Sequence, residues 1–176
     1  LYDFIDGTLA CGNAENAVHE VVKYINAHPD QKVYYVTDAH PANHSSFSDF
    51  GGIWPVHCVA GTHGGAIHEA FYTDVINPAN RPDPNTNIFR KGFKPEEEQY
   101  SGFEAVGADG RKLSEVAGEN LVISGIATEY CVYNTVKEFF NANHNIELLV
   151  SGLGYVDKDG HVKTLKELEK MVTVVK

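Results

Sequence analysis

Short runs of β-branched and aliphatic residues alternate along this chain with stretches whose apolar residues recur every three or four positions. That alternation restricts the fold more than any other feature. The strand-like runs are residues 32–37 (KVYYVT), 88–90, 120–124 (NLVIS), 146–150 (IELLV) and 171–175. Between them, residues 14–28 set Ala17, Val18, Val21, Val22 and Ile25 on one helical stripe, and residues 129–142 do the same with Val132, Val136, Phe139 and Phe140. Residues 163–170 read as a short amphipathic helix ahead of the last strand. Apolar strands interleaved with helices predict a three-layer α/β/α sandwich around a mostly parallel central sheet. A length of 176 residues suits a single domain, spanning 1–176.

The stretch 41–118 breaks the rhythm. It is rich in Gly, Pro and Asn, as in NPANRPDPNTN at 77–87. Extended loops in a compact domain are commonly functional, and the chemically notable residues bracket and populate this one. A net charge of -10 argues against a nucleic-acid partner and against docking on an anionic membrane, and leaves a small-molecule substrate as the fitting partner. The three cysteines are irregularly spaced and form no disulfide framework. With no secretory signal visible, they point to a reducing, cytoplasmic setting. Phe71 and Tyr72, read as exposed loop aromatics, are candidates for a homo-oligomer contact.

In open parallel α/β sheets, ligands gather at the carboxyl ends of the strands. Asp38 follows KVYYVT, Lys91 follows 88–90, and Cys131 falls just after NLVISG in the first turn of the next predicted helix. A helix start favours thiolate over thiol, and a nearby ammonium adds to that. Such a sulfur could attack a carboxamide, with the oxyanion held by the N–H groups of Ala127 and Cys131. The alternative for Cys131 is an inert thiol packing the helix on the sheet. Cys11 and Cys58 read as packing thiols. Asp38, His40 and His57 form an O/N/N set suited to one divalent ion, zinc first, with manganese or iron also compatible. His44 is a fourth ligand, a hydrogen-bond partner to the set, or neither. His63 and His68 read as surface residues.

Several motifs then fall in one order: Asp3–Phe4 with Gly7, DAHPANHSSF at 38–47, WPVHCVAGTHGG at 54–65, FRKGF at 89–93, YSGFE at 100–104 and GIATEYCV at 125–132. Over nearly its whole length the chain resembles the nicotinamidase branch of the isochorismatase-like cysteine hydrolases. The resemblance implies hydrolysis of nicotinamide to nicotinate and ammonia through a thioester on Cys131, with Lys91 stabilising the negative charge. It implies a cis peptide entering Ala127, a metal on Asp38, His40 and His57 that orients the pyridine, and an aromatic slot built from Phe4, Trp54 and Tyr100. The family's triad aspartate falls immediately upstream of Leu1, on a leading strand outside this sequence, and Asp3 corresponds to a later acid. Rival readings are a different small amide as substrate, attack by metal-bound water, and a non-catalytic relic.

Overall fold

The computed structural model describes residues 2–175. Its elements are α1 (Tyr2–Ile5), α2 (Ala14–Ala27), β1 (Tyr35–Asp38), α3 (Ala70–Thr73), β2 (Ile88–Lys91), α4 (Leu113–Val116), β3 (Asn120–Gly125), α5 (Tyr133–Asn141), β4 (Asn145–Leu153), α6 (Lys158–Leu168) and β5 (Thr173–Val175). All strand pairings are parallel, with β1 beside β2 and β3–β4–β5 in that order. Among the described residues the strands form two ladders and not one continuous sheet.

Two helical layers hold these ladders together. On one side α2 buries Val18, Val22 and Ile25 against Tyr35 and Ile88, with Phe71 and Val75 completing the cluster. The same helix also packs on β4. On the other side Val132, Val136 and Phe139 join Phe89 of β2 and Leu148 of β4 in a second apolar cluster. Each layer therefore spans both ladders. Between them runs a cleft of about 990 Å³, lined by Tyr34 and Val36 from the β1 side and by Leu121 and Ile123 of β3, with Phe4 and Cys131 among its walls. Val21, the one member of the α2 stripe that is not fully buried, also faces this cleft.

Element boundaries depart from the sequence pattern where tertiary pairing decides them. The first strand starts at Tyr35, not at residue 32, because its ladder begins with Tyr35 opposite Ile88. The fourth runs to Leu153, since a register irregularity between Ile123 and Gly125 lets Gly125 pair with Leu153. The last begins at Thr173. Helix α6 starts five residues earlier than the apolar pattern suggests, at Lys158, because the Asp157 side chain accepts a hydrogen bond from Gly160 N at 2.6 Å. The predicted helix 129–142 is two elements, a π-helical turn over Thr128–Val132 followed by α5. Phe71 is buried edge-on against Tyr35, with centroids 5.3 Å apart, so it is not available to a subunit contact; Tyr72 remains exposed.

Leu148 sits in the middle of β4 with no solvent exposure and touches the layer that bridges the ladders. Replacing it with alanine is expected to lower unfolding free energy by about 2–5 kcal/mol, the range for burying such a cavity. Equilibrium denaturation in urea checks this, and a loss below 1 kcal/mol, roughly the cost of an ordinary exposed substitution, would show that the core tolerates the void.

Candidate active site

The parallel register sets Asp38 directly opposite Lys91 at the carboxyl ends of β1 and β2. Both side chains are nearly sealed from solvent. The Lys91 ammonium donates to Asp38 Oδ1 in a short, charge-assisted hydrogen bond. It also donates to the Gln99 carbonyl at 3.0 Å and points to Cys131 Sγ at 3.6 Å. An ammonium carries three hydrogens, and here each has an acceptor. Gln99 fixes the following residue as well, its Oε1 accepting from Gly92 N at 3.0 Å.

Cys131 lies inside the π-helical turn, one residue before its end. The Ile126–Ala127 peptide is cis, as the family resemblance implies. The Ala127 backbone favours ionisation of the sulfur to a small extent. Electrostatics here differ from expectation. Burial pushes the Cys131 thiol up; Lys91 pulls it down, and the Asp38 carboxylate adds to the rise, leaving it above its ordinary value. Burial is the largest of these influences, and Lys91, which lowers the sulfur, also donates to Asp38. Burial opposes ionisation of Asp38 too, but Lys91 and His40 together hold its carboxyl below the usual range. Burial likewise opposes the Lys91 charge, and Asp38 more than offsets it, raising the ammonium's pKa.

His40 and His57 meet the same end of the site, with ring centroids 5.1 Å apart. Each Nδ1 faces a backbone carbonyl at 2.8 Å, that of Gly92 for His40 and that of Pro55 for His57. Because a carbonyl can only accept, each Nδ1 carries the proton and each Nε2 has its lone pair free. His40 Nε2 lies 3.9 Å from Asp38 Oδ1. Burial brings the His40 pKa down to about 4 against the pull of Asp38, so the ring is neutral near pH 7. Gly92, at φ 64°, is required here, since a Cβ on it would come within 2.7 Å of His40 Nδ1. The donor chemistry of Asp38, His40 and His57 fits a divalent ion. As the side chains stand, however, no group of three or more His, Cys, Asp or Glu among the described residues converges closely enough to hold one; Asp38 is turned to Lys91 instead.

His44 is fully buried with its ring 4.1 Å from that of His40. Its Nε2 donates to the Glu97 carbonyl at 3.1 Å, and its Nδ1 accepts from Ser46 N at 3.2 Å. Both nitrogens are spent, so His44 supports the His40 ring and does not serve as a fourth ligand. His63 is exposed and stacks on Tyr2, and His68 is partly buried with its ring tilted to that of Tyr2.

Phe4, Trp54 and Tyr100 wall one cavity with Asp38, His40, His57, Lys91, Ala127 and Cys131. The Trp54 indole donates to the Tyr100 hydroxyl at 3.0 Å, locking the two rings together. Sequence reasoning missed Tyr130, which stands edge-on to Trp54 at 4.8 Å and tilted to Tyr100 at 5.5 Å. Its position beside Cys131 was the available signal, obscured because an ordinary α-helix would turn consecutive residues to different faces. Cys11 was read as a packing thiol and in fact lines this cavity, with burial pushing its pKa up to about 12. Cys58 is buried at 2 % exposure.

Parallel strands and a π-helical turn thus bring Asp38, Lys91 and Cys131 to one cavity walled largely by aromatic rings. The isochorismatase domain profile matches residues 2–176, and the chain belongs to that family. It is 29% identical over 175 residues to the nicotinamidase/pyrazinamidase of Mycobacterium tuberculosis, covering 94% of this chain and 88% of that protein. It is 27% identical over 135 residues to the nicotinamidase of Escherichia coli, covering 65% of this chain; the match spans only 59% of that relative's length. Among solved structures, the pyrazinamidase of Pyrococcus horikoshii in complex with zinc superposes with a TM-score of 0.82 at 27% identity, covering 99% of this chain and 93% of that one. No helix among the described residues is long and apolar enough to cross a membrane.

The raised Cys131 thiol has a direct consequence. Alkylation of Cys131 by iodoacetamide, followed against pH and corrected with a Cys131→Ala control, is expected to show an inflection above the free-thiol value of about 8.5. An inflection below that value would mean that Lys91 dominates the sulfur after all.

Proposed function

We propose that this chain is a nicotinamidase-type amidohydrolase, converting nicotinamide to nicotinate and ammonia through a thioester on Cys131. The observation that carries the proposal is the Lys91 ammonium 3.6 Å from Cys131 Sγ, inside a cavity where four aromatic rings and two imidazoles stand beside Leu9, Val156 and Glu98. A flat, neutral heteroaromatic amide matches such a slot better than a charged or branched one. The names of the relatives and the family membership support the same reading.

In this mechanism the Cys131 sulfur gives its proton to a base and attacks the carboxamide carbon. The developing oxyanion is received by the N–H groups of Ala127 and Cys131, where a single donor is worth roughly 10²–10³ in rate. Lys91 stabilises the thiolate before attack. Ammonia departs with the proton returned by the base, and water then releases the carboxylate from the thioester. Phe4, Trp54 and Tyr100 hold the ring, with Tyr130 closing the side next to the nucleophile. Asp38, His40 and His57 would hold a divalent ion, zinc first, and the pyrazinamidase of Pyrococcus horikoshii was solved in complex with zinc. When bound there, such an ion would supply Lewis-acid chemistry to orient the pyridine.

By the family resemblance the base in this proposal is an aspartate that is not among the residues of this sequence. We further assign the protein to the cytosol, on the strength of three cysteines that are all free.

Cys131→Ala is expected to cut ammonia release from nicotinamide by at least roughly 10³-fold while zinc uptake stays at the parent level. Retained turnover in that variant would refute thiol attack and favour metal-bound water. A panel of small amides tests the substrate, and a marked preference for a non-aromatic amide would overturn the choice of nicotinamide.

A further inference from the structure

Asp3 belongs to the first motif of the chain, yet no step of the proposed reaction uses it. Its carboxylate is a hub between two distant segments. Oδ2 accepts from Cys58 N at 2.7 Å, and Oδ1 accepts weakly from Thr8 N at 3.4 Å. The Asp3 backbone N–H donates to the Gly64 carbonyl at 3.1 Å. Two glycines make room for this carboxylate: a Cβ on Gly7 would lie 2.5 Å from Oδ1, and one on Gly64 would collide with the same group.

What the hub holds is the backbone that follows His57. Cys58 sits at φ 48°, in the left-handed region that a non-glycine residue enters only when its surroundings hold it there. Its N–H is pinned by Asp3, and its carbonyl accepts from His40 N at 3.2 Å. The next residues run beside His40, with Ala60 N donating to the His40 carbonyl at 2.9 Å. A second tie comes from Thr8 Oγ1 to the Val56 carbonyl at 2.6 Å. Asp3 is also the immediate neighbour of Phe4, whose ring lies 5.9 Å from the His57 ring across the cavity.

We infer that Asp3 is a positioning residue, whose carboxylate holds Cys58 in its left-handed conformation and so fixes His57 Nε2 toward His40 and Phe4. The inference rests on the reading of His57 as a metal ligand and Phe4 as a slot wall. It adds a specific anchor for both, placed outside the reacting groups.

The test compares the parent chain with Asp3→Ala, Asp3→Asn and Gly64→Ala. Zinc affinity is measured by chelator competition, nicotinate binding by the fluorescence of Trp54, the chain's only tryptophan, and the His57 ring by its NMR shifts. Asp3→Ala is expected to weaken zinc about 10–100-fold, the loss usual when a supporting contact behind a metal ligand is removed. It also weakens nicotinate and moves the His57 resonances. Gly64→Ala, which pushes the carboxylate aside, gives the same pattern. Asp3→Asn keeps an oxygen for Cys58 N and recovers most of the loss. The rate of Cys131 alkylation stays at the parent level throughout, because the Lys91–Cys131 pair is built on other elements. Unchanged His57 shifts and affinities in both Asp3→Ala and Gly64→Ala would overturn the inference. So would an alkylation rate altered as much as binding, which marks general loosening. If Asp3→Ala does not fold, Gly64→Ala and Asp3→Asn decide alone. A parent that takes up neither zinc nor nicotinate refutes the proposed function, and the His57 shifts then decide the role of Asp3.

Discussion

A single buried ammonium organises this molecule's functional end. Lys91 is 4 % exposed, and an unanswered charge at that depth would cost several kcal/mol. Its three acceptors come from three places: a carboxylate on the neighbouring strand, a carbonyl in the following loop and a sulfur from across the fold. Satisfying Lys91 therefore requires β1 in register with β2, the 92–99 loop folded back, and the turn after β3 closed over both. The arrangement also explains why Cys131 remains a thiol of raised pKa in this chain. Burial is the largest influence on the sulfur and the Asp38 carboxylate adds to it, so the pull of Lys91 does not bring the thiol down to its ordinary value.

The same carboxylate stands between two chemistries. Asp38 is adjacent to the Lys91–Cys131 pair and to His40, so its oxygens are contested. Backbone carbonyls at Gly92 and Pro55 face the Nδ1 atoms of the two histidines, which in the proposed reading leaves each Nε2 for a metal. His44 packs against His40. As the side chains stand, no three such groups among the described residues converge closely enough to hold an ion.

The loop-rich stretch between β1 and β3 is ordered by buried apolar side chains such as Phe47, Val75 and Ala105 and by polar anchors. Asp3, Gln99, Asn26 and Asn80 each tie backbone groups of distant loops, and no buried side-chain polar atom among the described residues lacks a partner. These contacts let a region with few long periodic elements carry side chains at fixed angles. At Gly92 and Gly64 within it, a neighbouring polar side chain occupies the space of a Cβ.

Much of the fold was legible in the residues themselves. Apolar period fixed the identity of α2, α5 and the strands, because burying one face is a local demand that leaves a local pattern. The placement of Asp38, Lys91 and Cys131 at strand ends followed from the same pattern, and the motif order implied the family. What the chain could not reveal by itself depends on contacts between segments far apart in sequence. The split of 129–142 into a π-helical turn and a helix, the early start of α6, the burial of Phe71 and the presence of Tyr130 and Cys11 at the cavity were all decided by packing. So was the direction of the Cys131 shift: a helix start predicts a lowered pKa, but burial and a competing carboxylate act through space, and only three-dimensional proximity determines which of them prevails.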